Sequence, residues 1–250
     1  MKPASDPSRI SIRSPNANKP YVTVLGKNVK TQPSLASAGD LGMEAYLKLK
    51  DEICEGRIAP GTRITEEELT GRLKMSRTPI RVALYRLESD GLLTREARRG
   101  LIVTRPGHQE VMELYAMREA LEGTAARLAA QHASEVEIEA LGELIAGEAK
   151  FLSDTKALSD LNKRIHGLIY LAAHNRYLVK VLDNMTSTGA LLPTLLGNLQ
   201  RAKEAHEEHQ EILRAITKRD ADGAERASRK HMRTARKMRL TMMLSDDSGG

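Results

Sequence analysis

The chain has 250 residues, of which 40% are hydrophobic and 29% charged, and its formal net charge is +6. This length has room for one large or two modest domains with packed cores. A single cysteine, Cys54, excludes an intramolecular disulfide, and no apolar run approaches the roughly 20 residues of a membrane-spanning helix. Because the N-terminus also lacks an apolar signal core, we expect a soluble cytoplasmic protein with no membrane partner.

Composition divides the chain into three parts. Residues 1–38 are rich in Ser, Pro, Asn and Lys, so we expect a mostly disordered tail in which only residues 21–25 alternate like a strand. Residues 39–106 contain short helical segments and one strand pair, and we predict a winged helix-turn-helix there. Residues 107–245 carry long helical periodicity with few Pro or Gly, which predicts an all-helical domain. The predicted fold class is therefore mainly α.

Two short helices are predicted after a first helix over about 41–56. Thr65 and Glu68 have the spacing of a capping box, so a helix should begin between them. Ser76 favours the start of the next helix, and Pro79 falls in its first turn, where a missing N–H costs little. Gly91 should end this second helix, because glycine accepts the left-handed conformation.

The exposed side of the second helix has the residue types of a DNA-recognition helix. Arg77, Thr78 and Arg81 lie opposite its apolar stripe, with Ser76 at its start. An arginine can bind guanine or a phosphate through two hydrogen bonds. We therefore predict that these four residues contact DNA.

A two-stranded ribbon should follow, with a basic turn that ends in Arg99 and Gly100. By itself an Arg-Arg pair is more often a solvated charged turn. Its place directly after a recognition helix favours a wing tip that reaches the DNA backbone or minor groove. The charge distribution agrees, since residues 57–105 hold 11 Lys/Arg and 6 Asp/Glu, a net charge of +5. Scarce aromatic residues favour double-stranded DNA over RNA or single strands.

The helical part contains histidines that share helix faces with apolar residues. Asn162 and His166 are four residues apart and so lie on one face of a helix. His209 lies near an apolar stripe, and His231 lies in a very basic final helix. Three imidazoles and an amide oxygen can bind a divalent transition metal in a bundle core. From spacing alone, however, ordinary polar core or boundary histidines are the more common interpretation.

Two sets of residues resemble a known family. Residues 45–106 resemble the N-terminal domain of the GntR family of bacterial transcription regulators, and the C-terminal half resembles the metal-binding effector domain of its FadR subfamily. The matching residues are Ala59-Pro60-Gly61, Ser76-Arg77-Thr78-Pro79-Ile80-Arg81, Asp90-Gly91-Leu92, Arg99-Gly100, Arg118-Glu119-Ala120-Leu121-Glu122, His166, Glu208-His209 and His231.

The resemblance implies a metal site and a ligand. Asn162, His166, His209 and His231 would hold one divalent metal per chain, with zinc favoured and nickel or iron as alternatives. Many members have Asp where this chain has Asn162, and an amide oxygen is a neutral and weaker ligand. Arg118 would pair with a small organic acid effector, although a surface salt bridge to Glu122 is an equal alternative.

The expected function is that of a transcription regulator that acts as a repressor, and not that of an enzyme. A homodimer would read a palindromic operator in double-stranded DNA, since one recognition helix reads one half-site. Two alternatives are open: a metal-dependent bundle enzyme with an accessory DNA-binding domain, and an architectural DNA-binding protein without a ligand.

Overall fold

The computed structural model describes residues 38–247, and within this range it confirms the mainly helical class. The expectations for residues 1–37 lie outside the described part of the chain. A short α-helical head with one β-ribbon precedes a bundle of long helices. The elements are α1 (Ala38–Cys54), α2 (Glu66–Leu73), α3 (Arg77–Ser89), β1 (Leu93–Glu96), β2 (Gly100–Val103), α4 (His108–His132), α5 (Glu135–Glu148), α6 (Thr155–Ala172), α7 (Arg176–Gly189), α8 (Leu199–Thr217) and α9 (Ala221–Asp247).

The helix-turn-helix is formed by α2 and α3. The Thr65 hydroxyl accepts a hydrogen bond from the Glu68 N–H at 3.2 Å, as the sequence predicts. Ser76 also stands at the N-cap of α3, but its side chain makes no capping bond. A capping side chain usually accepts a hydrogen bond from the N–H of the second or third residue of the helix. Pro79 is the third residue of α3 and has no N–H, so one of these two donors is missing for Ser76.

The wing is an antiparallel pair in which Leu93 lies opposite Val103 and Glu96 lies opposite Gly100. Gly100 has a φ of 78°, a left-handed conformation that a side chain would strain. Arg63 adds an isolated bridge to Ile102. A single bridging residue has no periodicity, so the sequence did not indicate it.

The bundle is built around α4 and α9, which pack along each other, with α8 also against α9. The buried face of α4 is rich in alanine, and small side chains let neighbouring backbones approach closely. The sequence pattern predicts helices near 134–152, 194–218 and 221–242, with a break at Pro193. In the structure α5 ends at Glu148, α8 begins at Leu199 and α9 extends to Asp247. Pro193 lies in the non-helical connection between α7 and α8, as expected for a residue that ends helices.

The α7–α8 connection joins the head to the bundle. Leu191 is 5% exposed and packs into the hydrophobic core of the head. The Cys54 thiol lies 3.9 Å from the Ser187 carbonyl oxygen. Cys54 is therefore partly buried at the contact between head and bundle. Among the described residues, no helix is long and apolar enough to cross a membrane.

Candidate metal centre and nucleic-acid interface

Three histidines from three helices meet inside the bundle. His166 of α6, His209 of α8 and His231 of α9 are 6%, 0% and 5% exposed. One nitrogen of each lies within 4.8 Å of the corresponding nitrogens of the other two. Residues far apart in sequence thus form one compact cluster of possible metal ligands.

Each ring has its Nδ1 beside a glutamate. The distances are 2.8 Å for His166 Nδ1 to Glu122 Oε2, 2.9 Å for His209 Nδ1 to Glu148 Oε1, and 2.7 Å for His231 Nδ1 to Glu208 Oε2. A carboxylate in this position accepts the Nδ1 proton and leaves Nε2 with a free lone pair. Such carboxylate–histidine pairs typically orient imidazoles that bind a metal through Nε2.

The Nε2 atom of His209 is buried and has no hydrogen-bond partner among the described residues. A buried polar atom without a partner is destabilising in a folded protein. A metal ion bound to this nitrogen would satisfy it. The residues present therefore fit a divalent transition metal on geometry and on donor chemistry.

The electrostatics also fit. Burial lowers the pKa of His209 and lowers that of His231 well below the ordinary value, so both rings are neutral at pH 7. Burial acts to raise the pKa of Glu122, but the Arg118 guanidinium and then His166 outweigh it and the net shift is downward. Burial likewise acts to raise the pKa of Glu148, and its hydrogen bonds with histidines outweigh it. Neutral imidazoles backed by ionised carboxylates are the form that binds metal.

A cavity of about 340 Å³ lies beside the cluster. His166 and His231 line it, together with Asn162, which is half-buried one turn before His166 on α6. Arg118 also lines it, and its Nε donates to Glu122 Oε1 at 2.8 Å. The Arg118–Glu122 pair thus exists, but only 17% of the arginine side chain is exposed, so it is not a surface salt bridge.

Glu122 and Glu208 are among the residues of the family resemblance, but neither they nor Glu148 were predicted to lie behind the histidines. No general base is evident beside the histidine set from the sequence, whereas three carboxylates lie there in the structure. Glu148 is one of several acidic residues of α5, and its distance in sequence from the histidines does not indicate a contact with any of them. Glu208 had a signal in the sequence, because it directly precedes His209 in the Glu208-His209 pair of the family resemblance.

The exposed face of α3 forms the candidate DNA-reading surface. Arg77, Thr78 and Arg81 are all exposed there, and Arg81 Nε lies 2.9 Å from Glu66 Oε2. Tyr85 lies one turn after Arg81, and 74% of it is exposed. We had not singled out Tyr85, although its four-residue spacing from Arg81 places it on the same face.

The turn of the wing spans residues 97–99 and presents basic side chains to solvent. The Arg99 side chain is 70% exposed and lies 3.8 Å from Glu96, while that of Arg95 is 67% exposed and lies 3.4 Å from Glu88. Exposed ion pairs of this kind are weak and exchange readily for phosphate contacts. The wing is thus a second basic surface after α3.

Comparisons with known proteins agree with this architecture. Residues 41–103 match the bacterial regulatory proteins of the gntR family, and residues 113–234 match the FCD domain. The HTH-type transcriptional regulator YdhC of Bacillus subtilis is 31% identical over 73% of this chain and 83% of its own length. The HTH-type transcriptional repressor RspR of Escherichia coli is 28% identical over 77% of this chain and 86% of its own length.

A solved structure shares the fold. The E. coli McbR/YncC structure superposes with a TM-score of 0.70 at 22% identity, and the match covers 81% of this chain and 98% of that one. The relatives named here are transcription regulators, and none of these names describes an enzyme. The metal-dependent enzyme that the sequence left open is therefore set aside.

Proposed function

Because this chain belongs to the GntR family of DNA-binding transcription regulators, we propose that it is a repressor controlled by a small carboxylate effector bound at a metal site. The observation that supports this most is the convergence of three imidazoles, each with a glutamate on Nδ1. A structural core histidine needs no such arrangement. An architectural protein without a ligand would also gain nothing from a polar cavity in its bundle.

His166, His209 and His231 would hold one metal ion per chain through their Nε2 atoms, with Asn162 as a weaker fourth ligand. Zinc is favoured, and nickel and iron fit the same donors. When bound, the metal would supply a Lewis-acid position for an effector carboxylate. Arg118 lines the same cavity and would add positive charge, although Glu122 already balances part of that charge.

Operator binding would use α3 and the wing. Arg77, Thr78 and Arg81, with Ser76 at the helix start, would enter the major groove, and the exposed Tyr85 extends this surface. Arg99 and Gly100 would approach the backbone from the wing. Residues 39–106 and 107–245 would act as the DNA-binding and the effector-binding and dimerisation domains. We infer a cytoplasmic homodimer on an operator with two inverted half-sites.

Effector binding has a physical route to the head. Cys54 at the end of α1 lines the cavity, and so do Thr186, Ala190 and Leu192 of the bundle. Leu191 lies between two of these lining residues and packs into the core of the head. A ligand that moves this short segment would therefore also move the head, and would shift the population of DNA-binding arrangements.

Metal analysis of the native protein, purified without chelators, tests the proposed function. We expect about one equivalent of transition metal per chain, and a melting temperature that falls after chelation and recovers when zinc is added. His209→Ala should abolish both effects. His132→Ala, in which an exposed histidine is lost from α4, is the matched control and should behave like the parent protein. Native protein without metal and without a thermal response to zinc would overturn the proposed metal site.

A further inference from the structure

Two further arginines are buried in the wall of the cavity. Arg201 of α8 is 2% exposed and Arg239 of α9 is 5% exposed, and both line the cavity beside the histidine cluster. Neither follows from the DNA-binding or the metal-binding role. A buried guanidinium is costly unless it is paired with an anion and its N–H groups are hydrogen-bonded.

Arg201 is only partly satisfied. Its Nη2 lies 2.8 Å from Glu208 Oε2 and 3.5 Å from His231 Nδ1. Its Nη1 is 3.9 Å from Glu204 Oε2, beyond hydrogen-bond distance. Within the part of the chain that the structure describes, neither Nε nor Nη1 has a hydrogen-bond partner. Two buried donors of this guanidinium are therefore available to a ligand.

Arg239 lacks a balancing charge. Its Nη2 donates to the Pro193 carbonyl oxygen at 2.5 Å, while its Nε has no partner among residues 40–245. No carboxylate of these residues forms an ion pair with it, in contrast to Arg118, which pairs with Glu122. A neutral carbonyl leaves the net charge of Arg239 in place, so the cavity wall holds one buried cation without a counter-charge.

We propose that Arg239, together with the unpaired nitrogens of Arg201, forms a second anion subsite, so that the cavity takes a small molecule with two acidic groups. One acidic group would face the histidine cluster and the other would bind the guanidinium groups. This inference rests on the proposed function, because it specifies the class of effector. The second group is a carboxylate or a phosphate, since guanidinium binds both with paired N–H donors.

The geometry sets the length of such a ligand. His231 and Arg239 are eight residues apart on α9, a rise of about 12 Å along the helix axis. Side chains on a helix lean toward its N-terminus, and the arginine side chain is longer than that of histidine, so the Arg239 guanidinium can reach back toward His231. A ligand that joins the two subsites therefore need not span the full rise between the backbones. A cavity of about 340 Å³ accepts a diacid with a short carbon chain.

Calorimetric titration of the zinc-loaded full-length protein tests the proposal. The probes are succinate, glutarate and adipate, each paired with the monocarboxylate of the same carbon number: butyrate, valerate and hexanoate. We expect at least one diacid to bind roughly tenfold or more tightly than its monoacid, because a charge-assisted hydrogen bond is worth about one such factor or more. 3-Phosphonopropionate, compared with succinate, shows whether the second subsite prefers phosphonate or carboxylate.

Variants assign the preference to the arginine. Arg239→Gln should abolish the advantage of the diacid and leave the affinity for the monoacid nearly unchanged. Arg239→Lys keeps the charge and should retain part of the advantage. Lys237→Gln removes one positive charge from an exposed position of the same helix and should change neither affinity. If Arg239→Gln folds poorly, the diacid preference of the wild-type protein and its partial retention in Arg239→Lys still test the second subsite.

The outcomes separate the two proposals. Equal affinity of wild-type protein for diacids and monoacids, with zinc required for both, would overturn the second subsite and leave the metal-bound effector standing. A diacid preference that depends on Arg239 but persists after chelation would support the subsite and contradict the metal-bound effector. Binding of none of these acids would contradict both.

Discussion

The three glutamates that contact the histidines decide the chemistry of the cluster at the scale of single residues. Without them, a buried imidazole has no fixed tautomer, and either nitrogen could carry the proton. With Glu122, Glu148 and Glu208 on the Nδ1 atoms, the Nε2 atoms keep their lone pairs, and one nitrogen of each ring lies within 4.8 Å of the other two. The arrangement thus favours a cation at the centre of the cluster over a network of hydrogen bonds between histidines.

The first prediction concerns Glu148. Changing Glu148→Gln removes the negative charge behind His209 while keeping the side-chain size, and metal affinity should fall by about 10- to 100-fold. Glu143→Gln, on an exposed position of the same helix, is the matched control. Competition with a chromogenic zinc chelator measures the affinity. Equal affinities of the two variants would show that the carboxylate does not support the metal site.

The second prediction concerns pH. The pKa values of His209 and His231 are lowered in the folded chain, mainly by burial, so between pH 6.5 and their folded pKa the unfolded chain binds more protons. Protonation of these two histidines in the unfolded chain therefore does not destabilise the metal-free protein above about pH 6.5. As the pH falls below that value, the free energy of unfolding should decrease. The loss can reach about 1.4 kcal/mol per pH unit for each imidazole.

Urea unfolding of the chelated protein between pH 5 and pH 8 measures this loss. His231→Gln should flatten the profile below pH 6.5, whereas His132→Gln, at an exposed position, should not. The lowered pKa values of Glu122 and Glu148 act at lower pH, since their ordinary values lie near 4.5. If the pH profile of the His231→Gln variant is as steep as that of the parent, His231 does not cause the loss of stability at low pH.

Helices and turns were the most predictable features at the scale of elements. Caps and breakers such as Thr65, Gly100 and Pro193 act through local backbone chemistry, so the sequence alone predicted α2, the wing turn and the α7–α8 break. Contacts between elements were less predictable. Glu148 and Arg201 come from different helices, and their roles depend on how α5 and α8 pack in three dimensions.

The third prediction concerns α3. Arg81→Ala should weaken binding to an operator selected from random DNA by roughly 1–3 kcal/mol if Arg81 contacts a base. Tyr85→Ala should also weaken binding, because this exposed ring shares the face of Arg81. Arg164→Ala, which removes an exposed arginine from the bundle, is the matched control. Fluorescence anisotropy measures the affinity at fixed salt concentration. Unchanged affinity with Arg77 and Arg81 both replaced would exclude α3 as the recognition helix.

The position of the cavity between bundle and head is the feature that links the two functions at the scale of the whole molecule. Its wall includes Cys54 from the last turn of α1 and residues on both sides of Leu191. A site enclosed by the bundle alone could bind a ligand without any effect on the head. Here the same short segment contacts both the cavity and the core beneath the recognition helix. Coupling between two sites requires an element of this kind, whose position both sites influence.

The last prediction tests that element. Leu191→Ala removes the side chain that anchors the α7–α8 connection in the head, so an acid that binds the zinc-loaded protein should still bind but should change operator affinity less. Leu199→Ala, at a half-exposed position just after the connection, is the control and should keep the full response.

Cys54, the sole cysteine of the chain, provides an independent readout of ligand binding. Burial raises the pKa of its thiol, and a ligand in the cavity should slow its alkylation further. If the ligand slows Cys54 alkylation in Leu191→Ala as it does in the parent, and also changes the operator affinity of the variant in full, the connection does not carry the signal. Loss of the operator response with ligand protection of Cys54 intact is the result we expect, because binding and transmission then depend on different side chains of one wall.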